Sequence, residues 1–238
     1  MLKTRDMEEV ARLVGLAVER PGTMVAVVGG AGMGKTTAVE EALKAQEARV
    51  IWVLPVNDAK ENRMRIHHIL SALTEEYGVP ATVSRVRKYR MLAEAIRRGR
   101  ERVVLVVDDA HTLHWNTLRA LKQLLEAVRI GPYRNLFSIV LIGTHELLPK
   151  IRRFWEVAGR VALYEMKGLT EEGVVAYLQG LPLTETGLRQ VAKLPRRDFL
   201  FLHRVAGMVE ALSGEIGPLS DREVLEVASE LLDLREVA

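Results

Sequence analysis

The stretch Gly29-Gly30-Ala31-Gly32-Met33-Gly34-Lys35-Thr36 constrains this chain more than any other. Its spacing is G-x-x-x-x-G-K-T. It follows a short apolar, β-branched run at residues 23–28, which reads as a buried strand, and it opens residues 35–46, which read as a helix. Glycines let the backbone curl so that successive N–H groups point inward. The helix start adds a partial positive charge beneath them. A loop of this kind holds phosphates, so the expected ligand is ATP with Mg²⁺. Gly29, Gly30, Ala31, Gly32, Met33, Gly34, Lys35, Thr36 and the adjoining Thr37 are the expected nucleotide contacts. Lys35 reaches the β- and γ-phosphates, and Thr36 offers its hydroxyl to magnesium.

A second feature supports the first. Val103-Val104-Leu105-Val106-Val107 is a wholly apolar strand ending in Asp108 and Asp109. A carboxylate there can orient a magnesium shell, the expected role of Asp108. Asp109 can polarise an attacking water, which makes it a catalytic candidate beside Lys35.

The rest of the chain fits an α/β core. Helical periodicity predicts helices at residues 7–19, 64–77, 86–98 and 118–128. Strand-length apolar runs lie at 50–54, 137–142 and 161–166. Strands alternating with helices imply a five-stranded parallel sheet covered on both faces. After Leu169 the strand signal ends, and residues 171–179, 185–193, 199–212 and 221–234 read as helices. The expected division is an α/β nucleotide-binding core at 1–168 and a small helical lid with an acidic last helix at 169–238.

Composition narrows the class. The chain has no cysteine, which excludes disulfides and thiolate metal sites. No apolar run approaches the roughly 20 residues of a membrane helix, and the first residues carry no secretory signal pattern. The expectation is a soluble, cytoplasmic protein. Net charge is +3, unevenly spread. Residues 60–102 are strongly basic, and beyond residue 205 acids dominate, a pattern that fits a polyanion-binding face, head-to-tail association or simply charged, solvated helix surfaces.

Asp108-Asp109-Ala110-His111 resembles the Walker B box of AAA+ ATPases. Together with Leu118, Leu121, Leu124, Leu125 and the stretch Ser138-Ile139-Val140-Leu141-Ile142-Gly143-Thr144, it resembles one branch of them. That branch holds the DNA-transposition ATPases (the Mu B protein, TnsC and TniB) and the ExeA-type secretion ATPases. The likeness spans residues 7–212. It implies a P-loop AAA+ fold and further site residues. Thr144 matches the sensor 1 position, with His145 as its neighbour and a helix N-cap as the other reading of Thr144. Arg160 sits where an arginine finger would reach the ATP of a neighbouring subunit, with Arg152 and Arg153 as rivals. Arg197 matches the sensor 2 arginine loosely, with Arg196 beside it and the usual G-N-P absent. Asp109 stands where the family has Glu, one methylene shorter, which implies slow, switch-like hydrolysis.

The resemblance implies an ATP-dependent, largely sequence-nonspecific DNA-binding ATPase. It would form a filament or ring on duplex DNA, select targets and recruit a transposase. The N-terminal DNA-binding domain of the Mu B protein has no counterpart, so DNA contacts are expected from the core: Lys60, Arg63, Arg65, Arg85, Arg87, Lys88 and Arg90. The alternatives are an ExeA-like secretion or protein-remodelling ATPase and a helicase-loader-type adaptor ATPase without a direct DNA role.

Overall fold

The computed structural model describes residues 4–54, 64–128, 136–216 and 219–233, with the side chains of 215, 216 and 233 left aside. Two compact units divide the chain. One comprises Met7–Gly29 and Lys35–Met166, and the other Met1–Asp6, Gly30–Gly34 and Lys167–Ala238.

The first unit is a five-stranded, wholly parallel sheet flanked by helices. Its strands are β1 (Met24–Val28), β2 (Arg49–Val53), β3 (Val103–Val107), β4 (Phe137–Gly143) and β5 (Val161–Glu165), in the order β2-β3-β4-β1-β5. The register pairs Val28 with Gly143 and Glu165, and Val53 with Val107, so the C-terminal strand ends lie side by side. The central strands β1, β3 and β4 are buried along their whole length, and β2 and β5 are only partly so. That is why the central strands read as unbroken apolar runs: both faces are covered, so no position can be polar without a partner. The one exception, Ser138, donates its hydroxyl to the Ala17 carbonyl at 2.6 Å.

Helices α1 (Arg5–Glu19), α2 (Lys35–Lys44), α3 (Ile66–Glu76), α4 (Arg85–Gly99) and α5 (Trp115–Ala127) follow the expected periodicity to within two or three residues at each end. Val10, Leu13, Val14, Ala17 and Val18 form the buried stripe of α1. Three short pieces escape periodicity: a 3-10 turn at Ala110–Thr112, α6 (Leu147–Arg152) and α7 (Trp155–Ala158). At one turn or a little more, none is long enough to show a repeat.

The second unit is helical: α8 (Glu171–Leu178), α9 (Glu185–Ala192), α10 (Phe199–Ile216) and α11 (Asp221–Asp233). Val174, Leu178, Val191, Phe201, Leu202, Val205, Val209 and Val224 make its own core. Thr170 and Thr184 cap α8 and α9 by accepting the N–H of Gly173 and Gly187, at 3.1 and 3.0 Å. The buried Asp6 belongs to this unit as well, its carboxylate taking the backbone N–H groups of Lys167 and Gly168. No helix among the described residues is long and apolar enough to cross a membrane.

Candidate nucleotide site

The loop between β1 and α2 needs its glycines for two reasons. Gly32 and Gly34 hold φ of +79° and +77°, where a side chain is strained. Residues 30–34 also pack closely within the helical unit. A Cβ on Gly32 would lie 2.6 Å from Leu200 Cβ and from Asp198 Oδ1, and one on Gly34 would lie 3.3 Å from Phe199. The phosphate-loop spacing signals the first requirement but carries no trace of the second.

The stem of the loop is set by the sheet. Gly29 donates its N–H to the Gly143 carbonyl at 3.2 Å, joining the ends of β1 and β4. Lys35 and Thr36 begin α2, and Thr36 donates its hydroxyl to Asp108 Oδ2 at 2.9 Å. The other oxygen, Oδ1, accepts the N–H of Asp109 at 2.7 Å. Both acceptor atoms of Asp108 are thus fixed, one by the Thr36 hydroxyl and one by the backbone N–H of Asp109. Burial pushes the Lys35 ammonium below its ordinary range, while Asp108 and Asp109 pull the other way. An anion placed against Lys35 would relieve that burial penalty. Thr37 lies exposed in the first turn of α2.

Asp109 adopts φ 44°, ψ 37°, a left-handed conformation that costs most residues about 1–2 kcal/mol and that Asp tolerates better. This gives a local reason for Asp at a position where the resembling family carries Glu. Its side chain is about half exposed, with Oδ1 3.8 Å from His111 Nδ1. A cluster of three or more His, Cys, Asp or Glu able to hold a metal by themselves does not occur among the described residues. The donor set fits Mg²⁺ all the same, because Mg²⁺ keeps waters and phosphate oxygens and takes few protein ligands. Thr36 and Asp108 supply adjacent hard oxygens.

Thr144 follows β4 directly. Its Oγ1 is buried with no hydrogen-bond partner among the described residues. Glu146, not Thr144, is the N-cap of α6, so the helix-capping reading of the Thr144 side chain does not hold. His145 Nε2 lies 3.0 Å from Glu165 Oε1. Among the finger candidates, Arg160 pairs with Glu126 at 3.1 Å, Arg153 stacks over the Trp115 ring at 4.5 Å, and Arg152 is exposed. Arg197 is held by Glu171 at 3.1 Å and the Leu194 carbonyl at 3.3 Å, and Arg196 pairs with Asp198. Of the expected DNA contacts, Arg65 is exposed just before α3. Arg85, Arg87 and Arg90 are exposed on α4, and Lys88 is half-buried there. Lys60 and Arg63 lie outside the described residues.

Sequence reasoning passed over Gly143 and Lys150. A Cβ on Gly143 would come within 3.1 Å of the His111 backbone N, and Lys150 donates to the carbonyls of His111 and Leu113. The glycine ending an apolar strand was a visible signal. The lysine had none.

No curated protein is a significant match to the sequence. Among solved structures, the Aeropyrum pernix ORC2 protein (ADPNP-ADP complexes) superposes with a TM-score of 0.66 at 15% identity, over 97% of this chain and 68% of that one. CDC6P from Pyrobaculum aerophilum gives 0.63 at 16%, over 90% and 62%. The Aeropyrum pernix ORC1 protein in complex with DNA gives 0.60 at 18%, over 97% and 66%. At these identities the likeness is one of fold. The sequence itself goes further, since residues 18–151, more than half of the chain, match the family described as AAA domain. With a phosphate-loop sequence after β1, paired acids after β3 and a five-stranded parallel sheet of AAA+ type, this chain belongs to the AAA domain family.

Proposed function

We propose that the protein is a slow, switch-like ATPase that binds duplex DNA without sequence preference when loaded with ATP. The observation that carries the nucleotide part is the Thr36–Asp108 hydrogen bond of 2.9 Å, which brings the loop and the acids after β3 together. Lys35 neutralises the β- and γ-phosphates, and the loop N–H groups cradle them. Thr36 and Asp108 would hold Mg²⁺, which offsets charge on the phosphate oxygens when bound. Asp109 polarises the attacking water, and Thr144, whose hydroxyl has no partner among the described residues, reports on the γ-phosphate. Gly29 to Gly34, Thr37 and Arg197 complete the proposed nucleotide contacts, and Arg160 is the proposed finger toward a neighbouring copy.

The DNA part rests on α4. Arg85, Arg87 and Lys88 occupy its first turn and no acid accompanies them. Cations at a helix N-terminus oppose the macrodipole at about 0.3–1 kcal/mol each. Placing three there disfavours the helix, and a phosphate backbone would offset that cost. A protein of similar fold, the Aeropyrum pernix ORC1 protein, was solved in complex with DNA, which supports DNA binding as such. The transposition role, with homo-oligomers recruiting a transposase, rests on the sequence resemblance to the Mu B, TnsC and TniB proteins.

The test is fluorescence anisotropy of labelled duplex DNA titrated with protein, with ATP–Mg²⁺, ADP–Mg²⁺ or no nucleotide, at two salt concentrations. ATP-dependent binding that weakens steeply with salt and ignores sequence is the expected result. No binding under any nucleotide would overturn the DNA reading and leave a protein-directed ATPase.

A further inference from the structure

The turn that carries Asp109 has five consecutive backbone carbonyls, and each has a donor. The Asp109 carbonyl accepts the N–H and hydroxyl of Thr112 at 2.8 and 2.9 Å. That of Ala110 accepts the Leu113 N–H at 3.1 Å, and that of Thr112 accepts the Met64 N–H at 3.1 Å. The remaining two, on His111 and Leu113, are filled by one ammonium. Lys150 Nζ donates to both, at 3.1 Å for Leu113. The last carbonyls of a helical turn have no donor within the turn, and a cation is favoured there.

Lys150 reaches the turn from α6, which the buried Leu147 and Ile151 anchor. The turn is held by Met64 through backbone bonds, by Asp108 Oδ1 at the Asp109 N–H and by Lys150, and it lies so close to Gly143 that a Cβ there would come within 3.1 Å of the His111 N. Lys150 is a side chain from outside the turn that can be removed without altering the backbone or the two acids. A residue at φ 44° such as Asp109 persists only where its surroundings hold it.

We infer that Lys150 is a positioning residue for hydrolysis: by closing the two open carbonyls of the 110–113 turn it holds the Asp109 carboxylate in register with Asp108. It touches no reacting atom. This rests on the hydrolytic reading of the Asp108–Asp109 pair.

The experiment compares the full chain with Lys150→Met and Lys150→Arg. It measures ATP turnover with and without duplex DNA, fluorescent-nucleotide affinity, and amide hydrogen exchange at residues 110–114. Methionine matches the apolar neighbours Leu113, Trp115 and Pro149 but donates nothing. Lys150→Met is expected to lower kcat about ten- to hundredfold with KM and nucleotide affinity unchanged, and to speed exchange at 110–114. Lys150→Arg, whose guanidinium can bridge two carbonyls, recovers most of both. If Lys150→Met does not fold, Lys150→Leu, which also donates nothing, carries the same comparison. Wild-type turnover and wild-type exchange in the donor-less variant overturn the inference. So does a loss of turnover that tracks a loss of nucleotide affinity. If the unaltered protein hydrolyses no ATP in any condition, the hydrolytic reading fails. The exchange data then decide alone whether Lys150 holds the turn: faster exchange supports it, and unchanged exchange overturns it.

Discussion

Thr36 Oγ1 and Asp108 Oδ2 lie 2.9 Å apart across 72 residues of chain. The hydroxyl that would face a metal is already oriented by the carboxylate that would share it, so removing either disturbs the other. Thr36→Ala and Asp108→Asn should each weaken magnesium-dependent ATP binding about 10- to 100-fold, and Thr36→Ser should retain it. Titration of a fluorescent ATP analogue with and without Mg²⁺ measures this. Equal losses in the absence of Mg²⁺ would count against a shared metal role.

Gly32 and Gly78 separate two costs that a Gly→Ala substitution usually mixes. Both have positive φ, +79° and +62°, but a Cβ on Gly78 meets nothing within 4 Å, whereas one on Gly32 strikes Leu200 and Asp198 at 2.6 Å. Gly78→Ala should cost about 1–2 kcal/mol from the left-handed backbone alone. Gly32→Ala should cost more and should also impair nucleotide binding. Chemical denaturation of both variants checks the order.

The left-handed backbone of Asp109 predicts a dissociation of stability from turnover. Asn tolerates this conformation as Asp does, so Asp109→Asn should fold with stability within about 0.5 kcal/mol of wild type while losing hydrolysis. Asp109→Ala should lose hydrolysis and about 1 kcal/mol of stability as well. Thermal melts beside a phosphate-release assay distinguish the two.

Arg87 sits three residues after Ser84, whose hydroxyl accepts the Arg87 N–H at 3.4 Å. Arg87→Glu would complete a Ser-x-x-Glu capping box and place an acid at the positive end of α4. Stability should rise by about 0.5–1 kcal/mol. DNA affinity should fall, and the salt dependence of binding should shrink by roughly one phosphate contact. Opposite signs in the two measurements are the expected signature of a residue kept for a polyanion rather than for the fold.

Tyr77 offers a pH test. Its hydroxyl is buried with no hydrogen-bond partner among the described residues. Burial pushes its pKa up to about 12, with Arg49, 4.9 Å from the ring centre, pulling the other way. The unfolded phenol ionises near pH 10 and the folded one near 12, so the folded state loses stability between those values as pH rises. Tyr77→Phe should be more stable by about 1 kcal/mol at neutral pH, because an unsatisfied buried hydroxyl disappears. Its advantage should widen above pH 10, as urea melts at pH 8 and pH 11 would show.

What could be read from the sequence were features with a local cause. The Gly-rich loop and the apolar β3 run carry their conformations in their own residue types, and the long helices carry theirs in their spacing. The unread features depend on distant partners. Nothing near Lys150 announces that its ammonium closes a turn at 111–113, and nothing near Gly32 announces Leu200. Arg160 and Arg197 were singled out by resemblance, and their ion pairs with Glu126 and Glu171 come from contacts no local pattern encodes.

The position of β1 in the sheet bears on how the chain acquires its shape during synthesis. Residues 24–28 pair on one side with 139–143 and on the other with 161–165, and with no nearer strand. A growing chain therefore carries Met24-Val25-Ala26-Val27-Val28 unpaired until most of the first unit has emerged. Closing such long loops is slow, and an exposed apolar strand adheres to others like it. ATP can give little help at that stage, since the loop that would hold it hangs from the same waiting strand. Refolding yield should depend steeply on protein concentration, and added nucleotide should protect the finished molecule far better than it speeds its formation.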